Sequence, residues 1–500
     1  MKKIFIIAAL LSIIGLPTSM CSAQDAVYKL LRYEWTLNAD GSSDYHYRHE
    51  VQILRNRALT AYADKGETFV VYNPDLEQLT INEVYTIQKN GTRIDMPQNA
   101  FIYLLPSECA DCGRFNHVRE LAMVHTGMEL GCTIVVDYTI HRKYNLLHES
   151  IPLQRECPVE KLEVVVNNNT DVNVKTDIDG QQYLPKFDRN SLVAVQEGSR
   201  QWTTTLSLND MPQAPREPYM PADIVPTLRI YNSVPEYTPA FDQEGFSGAR
   251  NVMGQVMNTR GKENIVRARD YVVDNIHLND IHPSHFGYRH ATAEQVWNTG
   301  CGMAVDKAVL LAAILNDEGY RAAVAGSDAD EVAVWIDTLE YRLSVRDKSP
   351  MSLYGKARDE VRTLNVNGTF DAVLDTLEDG FFSFPIPFLI IQGERDPWIR
   401  ASQLPLVRTT PLQASACDVK SNVTYILPKG VKMVGGKISQ KLAFDGLGSV
   451  EFTVKQSGNK LRIVRNLKVE KSLIPVEDYA NYRQLMVVWQ SVDDVLLRAK

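Results

Sequence analysis

From residue 24 onward, apolar and polar positions alternate in short runs that turn-forming residues separate. Residues 33–37 and 45–53 flank an Asn-Ala-Asp-Gly turn at 38–41, and residues 84–88 and 92–96 flank Lys-Asn-Gly at 89–91. Period-two runs joined through Asp-Gly or Asn-Gly predict β-hairpins, because these residues accept the positive φ that a tight hairpin turn requires. Further strands are predicted at 133–140, 161–166, 172–176 and 202–208. Together they predict an antiparallel β-sandwich over residues 24–235.

Seven prolines then fall between Met211 and Pro239. Proline removes ladder donors and disfavours helix, so this passage reads as an extended connector along a neighbouring domain, with a boundary near residue 235. Beyond it the period becomes helical. Ile265, Ala268, Val272 and Ile276 recur at helix spacing, and residues 304–315 are apolar nearly all round, predicting a buried central helix that Gly319 ends. Strands are predicted at 331–336 and 341–345. From about residue 409 alternation returns: residues 450–455 and 460–464 bracket a hairpin turn at 456–459, and an amphipathic stretch at 478–485 leads into a last strand at 486–490. The pattern predicts a multi-domain α+β protein with units at 24–235, 236–408 and 409–500.

Composition narrows the function. The 500 residues are 44% hydrophobic and 23% charged, which is ordinary globular usage, and the net charge of -8 gives no reason to expect nucleic acid. Residues 1–23 read as a signal peptide: Lys2 and Lys3, an apolar core at 4–16, and Cys-Ser-Ala at 21–23 before Gln24. Acylation of Cys21 is the lipoprotein alternative, which Met20 fits poorly. No later apolar run reaches the roughly 18 residues of a spanning helix, so the expected address is the bacterial periplasm with no membrane span.

Six cysteines follow the leader: Cys109, Cys112, Cys132, Cys157, Cys301 and Cys417. In an oxidising compartment, Cys109 and Cys112 would pair with each other or bridge to Cys132 or Cys157. A zinc knuckle with His117 or His125 lacks a second CxxC to complete it. His277, His282, His285 and His290, with Asp274 and Asp280, lie on a loop whose spacings match no helical face. That loop reads as a polar connector, with a metal site as the sharper alternative. No metal and no cofactor is predicted.

The runs Ala-Thr-Ala-Glu-Gln-Val-Trp at 291–297, Gly-Met-Ala-Val-Asp-Lys-Ala-Val-Leu-Leu-Ala-Ala-Ile-Leu at 302–315 and Glu-Gly-Tyr-Arg-Ala at 318–322 resemble the cysteine-helix segment of bacterial transglutaminase-like domains. The strand-rich first part looks like the domain of unknown function that commonly precedes them in envelope proteins. The ending from Ser472 to Arg483 is similar to the small β domain that commonly follows. The resemblance implies a papain-like α+β core with a Cys-His-Asp triad. Registering Ala308 and Leu310-Leu311 on the family pattern puts Ala304 at the nucleophile position and Cys301 one turn upstream, about 4.5 Å along the axis. Glu331 opens the strand that should carry the base, and Ser344 stands where the orienting aspartate should be. No histidine occurs after His290, although the thiol proton needs an imidazole from a downstream strand.

These departures predict a noncatalytic protein whose degenerate cleft binds an extended peptide or glycan, or an envelope partner protein. Trp297 and Trp335 are the rings expected to line it. The rival is a cysteine protease or acyltransferase using Cys301, with a base drawn from the His277 to His290 loop.

Overall fold

An eight-stranded sheet organises the first part of the chain in the computed structural model, which describes residues 25–59, 68–184, 192–197, 201–232, 246, 248, 261–325, 330–348, 351–353, 361–386, 398–490 and 494–499. Its centre is the strand Ala26–Leu37, paired antiparallel to Ser43–Ile53 through the predicted Asp-Gly turn and parallel to Val159–Asn168. Alternation sends Leu31, Tyr33 and Trp35 of the first strand and Tyr47 and Val51 of the second into one buried core. Burying each such side chain contributes roughly 1.5–3 kcal/mol. A three-stranded sheet, Phe69–Tyr72, Arg119–Met123 and Phe101–Leu104, adds Val70, Leu121 and Met123 to the same core.

The middle of the chain contributes helices α1 (Lys262–Asn275), α2 (Ala293–Thr299) and α3 (Ala304–Asp317). A four-stranded sheet of Arg321–Ala325, Glu331–Ile336, Leu339–Ser344 and Ser352–Leu353 follows. Every residue of α3 from Ala304 to Leu315 is buried, as its all-round apolar pattern requires. The core around α3 also takes in Cys109, Cys112, Phe115 and Val118. A loop of the first unit is thus built into the interior of the second.

The expected multi-domain α+β class with an antiparallel sandwich and a papain-like core is corrected by this architecture. Strands dominate the described residues and fall into eight separate sheets, several of two to four strands. The largest sheet contains the parallel pair of Ala26–Leu37 with Val159–Asn168. The helical period is confined to short segments, so the density of apolar residues around α3 overstated the helical share of the fold. The protein is multi-domain and β-rich.

In the last part of the chain, strand Arg362–Asp371 pairs parallel with Cys417–Ile426 in a five-stranded sheet, which joins residues on either side of position 409. The predicted strand at 486–490 is instead the second half of helix α4 (Tyr479–Trp489), which buries Tyr482, Leu485, Met486 and Trp489. β-branched Val487 and Val488 suggested strand, and tertiary packing overrides that preference. Among the described residues no helix is long and apolar enough to cross a membrane.

Candidate functional site

Helix α3 begins at a tightly specified corner. Asp306, fully buried, turns back to accept the Met303 N–H at 2.9 Å and the Ala291 N–H at 2.6 Å, and takes Arg114 Nη1 at 3.0 Å. One carboxylate therefore closes the helix N-terminus, where negative charge is favoured, and ties it to a loop of the first unit. Gly302 makes the corner possible, because a Cβ there would stand 2.7 Å from Asp306 Cβ. Residues Cys301–Gly302 pair in parallel with His277–Leu278, which pulls the histidine-bearing loop against the helix start.

Beside this corner lies a cavity of about 280 Å³ lined by Met303, Ala304 and Val305 of the helix start, by Asp280, Ile281, His282, Pro283 and Tyr288 of the loop, by Asp330 and Arg346, and by His148 of the first unit. Arg346 spans two carboxylates, with Nη1 2.7 Å from Asp280 and Nε 3.4 Å from Asp330. Burial works against the Arg346 charge, but the hydrogen bond and field of Asp280, reinforced by Asp330, hold its pKa above the ordinary value. Tyr288 spends its hydroxyl on the backbone of His148, accepting from N at 3.1 Å and donating to O at 3.0 Å. Burial pushes that phenol well above its ordinary pKa. The lining holds no thiol and no aliphatic hydroxyl.

Ala304 thus lies at the cavity. Glu331 and Ser344 are direct cross-strand partners, the relation a base and its orienting residue would have, yet neither lines it. Glu331 lies 3.9 Å from Arg342, and the Ser344 hydroxyl accepts the Arg346 N–H at 3.2 Å. Their chain neighbours Asp330 and Arg346 face the space instead.

Cys301 is bonded to Cys112, 189 residues away, with 6.0 Å between the Cα atoms. This differs from the bridge to Cys109, Cys132 or Cys157 expected for Cys112. Cys112 pairs with neither Cys109, Cys132 nor Cys157, and Cys301 is not a free thiol. Cys109, Cys132 and Cys417 are buried thiols, and burial raises Cys109 to about 11.

Trp297 stacks on Tyr271 at 5.9 Å and meets Phe246 at 5.7 Å, and Trp335 lies under the Arg321 guanidinium. Both rings stand outside the lining of this cavity: packing within the middle unit engages one and a cation the other. The loop histidines separate: His282 bonds Ser284, His285 bonds Glu77 at 2.8 Å, and His290 meets the Ala291 carbonyl. Of them only His282 lines the cavity. Sequence reasoning missed His148, Tyr288, Asp330 and Arg346 as lining residues. Arg346 and Asp330 were within two residues of the positions inspected, whereas nothing in the sequence joins His148 to a helix that starts more than 150 residues later.

Residues 39–212 match the family model of a domain of unknown function with a solved structure, DUF3857, and residues 400–495 match a second such domain, DUF3858. No curated protein matches the chain. Among solved structures, a "putative protease" from Parabacteroides distasonis ATCC 8503 is 22% identical, covers 95% of this chain and 99% of its own, and superposes with a TM-score of 0.76. At that identity the likeness concerns the fold alone. An M1 zinc metallopeptidase from Deinococcus radiodurans, 9% identical over 42% of each chain, superposes at a TM-score of 0.19, which carries no argument. The chain therefore carries a DUF3857 domain and a DUF3858 domain, and shares the fold of the Parabacteroides protein over nearly its whole length.

Proposed function

We propose that this is an exported, noncatalytic binding protein of the bacterial envelope, related to transglutaminase-like proteins, whose cavity at the start of α3 receives a segment of an extended polymer or partner chain. The observation that carries the reading is the cavity's chemistry: Ala304 stands at its lining, no thiol or aliphatic hydroxyl faces it, and Cys301 is engaged with Cys112. Nucleophilic catalysis needs an activated side chain within hydrogen-bond reach of a base. The Arg346 bridge also disfavours an acid–base pair of carboxylates, since both Asp280 and Asp330 are committed to one cation.

The same lining suits recognition. Ile281, Pro283, Met303 and Val305 offer an apolar wall, and His148, His282, Asp280, Asp330 and Arg346 offer donors and acceptors. Pockets that combine apolar walls with a few convergent polar groups are suited to hold and orient a ligand. Peptide is favoured over glycan because the flat aromatic platforms Trp297 and Trp335 lie elsewhere.

The test joins two measurements. Native protein is treated with a thiol-directed electrophile across pH, beside Cys301→Ser, and modification is read by mass spectrometry. Calorimetry with a panel of peptides and glycans is run on the wild type and on Ala304→Phe, which fills the cavity. Unlabelled Cys301 and peptide binding that Ala304→Phe reduces at least tenfold support the reading. Rapid Cys301 labelling with an apparent pKa well below 8.5, or peptide hydrolysis that Cys301→Ser abolishes, would overturn it in favour of a cysteine enzyme.

A further inference from the structure

Among the described residues, the strand Phe101–Leu104 is the open edge of the three-stranded sheet, paired on one side only, to Arg119–Met123. The Val124 N–H donates to Ala100 O at 2.8 Å, which sets the phase of the ladder. In an antiparallel pair, residues 100, 102 and 104 then turn their backbone groups inward, and Phe101 and Tyr103 turn theirs outward. Edge strands are normally blunted by charge, proline or a bulge. Here Ile102, Tyr103, Leu104 and Leu105 are 44%, 61%, 44% and 44% exposed, and Val124 beside them is 49% exposed.

This margin continues an existing contact. The register Ile102↔Ala122↔Phe69 and Leu104↔Glu120↔Val71 puts Ile102 and Leu104 on the same face as Val71, and Val71 packs against the core around α3. The sheet is thus covered on this face at its far strand, Phe69–Tyr72, and bare at the strand Phe101–Leu104. Electrostatics add a direction. Glu120 stands opposite Leu104; burial, and then the nearby Glu108, push its carboxyl above the ordinary range. Among the described residues neither glutamate forms an ion pair with a cation.

We propose that this edge is a docking site for an extended segment of a partner polypeptide, added as a fourth strand beside Phe101–Leu104, with aliphatic side chains over Ile102 and Leu104 and a lysine or arginine at the Glu108–Glu120 end. Main-chain bonds to Phe101 and Tyr103 supply affinity, and the acidic end supplies preference for basic segments. The surface is independent of the cavity at α3.

The probe is a fluorescein-labelled peptide of alternating valine and threonine with lysine at both ends, compared with the same peptide ending in glutamate. Anisotropy is measured with the whole purified protein, with Tyr103→Pro, which removes an outward N–H at an edge position where proline is tolerated, and with Glu120→Lys. Thermal melts establish that each variant is folded. Saturable binding of the lysine peptide, at least tenfold tighter than the glutamate peptide and weakened at least tenfold by either variant, supports the proposal. If Tyr103→Pro does not fold, Glu120→Lys and Ile102→Lys decide it. Absence of saturable binding, or equal binding of the two peptides, overturns it. So does self-association of the wild type that Ile102→Lys abolishes in sedimentation velocity, because the edge would then belong to a second copy of this chain.

Discussion

Lys307 carries a cation into the interior of the middle unit. It is 2% exposed on α3, its Nζ donates to the Ile276 carbonyl at 2.7 Å, and burial lowers its pKa to about 8 against an opposing pull from Asp274. The unfolded lysine holds its proton to its ordinary 10.5. Between those values the unfolded chain binds more protons than the folded one, so stability rises with pH across that window, and the burial cost is present in full below it. At 1.36 kcal/mol per unit the cost is about 3 kcal/mol at neutral pH. Lys307→Met removes it but leaves a buried carbonyl without its donor, which costs about 1–3 kcal/mol and offsets much of the gain. Lys307→Met should therefore melt slightly above the wild type at pH 7 and lose that advantage by pH 10; an advantage that grows with pH would contradict the assignment. Asp306 acts in the opposite sense. Asp306→Ala strands two backbone N–H groups and Arg114, and urea unfolding should show a loss of about 3–5 kcal/mol, with Asp306→Asn losing less because one acceptor remains.

At the level of elements, the joint between the loop carrying Cys112 and the start of α3 is held by the disulfide, the Arg114–Asp306 pair and the Asn279 amide, which donates to Glu108 O at 2.7 Å. A bridge closing 189 residues restricts the unfolded chain strongly, and its loss should cost about 2–5 kcal/mol. The double variant Cys112→Ser, Cys301→Ser should show that loss in chemical unfolding. Peptide mapping of the wild type without reductant should recover the Cys112 and Cys301 peptides as one species. Elements set by local pattern were legible in the sequence: α3 starts at Ala304 as its apolar run predicts, and Glu331–Ile336 has its predicted bounds. Elements set by distant partners were not. Nothing near Cys112 names Cys301, and the alternation in Arg362–Asp371 does not say that its neighbour in the sheet lies beyond residue 409. The cavity was legible in part, since Ala304 was found by registering a helix, whereas His148 reaches it only through the packing of two units.

Across the whole molecule the proline-rich connector does more than separate bodies. Its residues Glu217 and Tyr219 dock on the last body: the Gln413 N–H donates to Tyr219 O at 2.7 Å, and Glu217 accepts the Thr409 and Thr410 N–H groups at 2.8 and 3.0 Å together with both threonine hydroxyls. Burial would raise the Glu217 pKa, but these bonds, led by the Thr410 hydroxyl, outweigh it and hold the carboxyl below its ordinary 4.5. A carboxylate depressed on folding contributes stability that is present above the unfolded value and is lost as pH falls through the folded one. Docking of the last body should therefore hold at pH 7 and weaken in acid, as pH falls below the ordinary 4.5 and through the lowered Glu217 value, over a range where buried apolar cores are unchanged. Glu217→Ala should reproduce the loss at neutral pH, at about 2–3 kcal/mol for charged hydrogen bonds removed at once, and should remove the Glu217 share of the acid sensitivity. Calorimetry reads the outcome directly. The wild type should show the last body melting with the rest at pH 7 and as an earlier, separate transition at pH 3, and Glu217→Ala should show the separate transition at both. A wild-type profile with the same number of transitions at both values would mean that the connector is held by its backbone contacts, and that Glu217 does not couple the bodies.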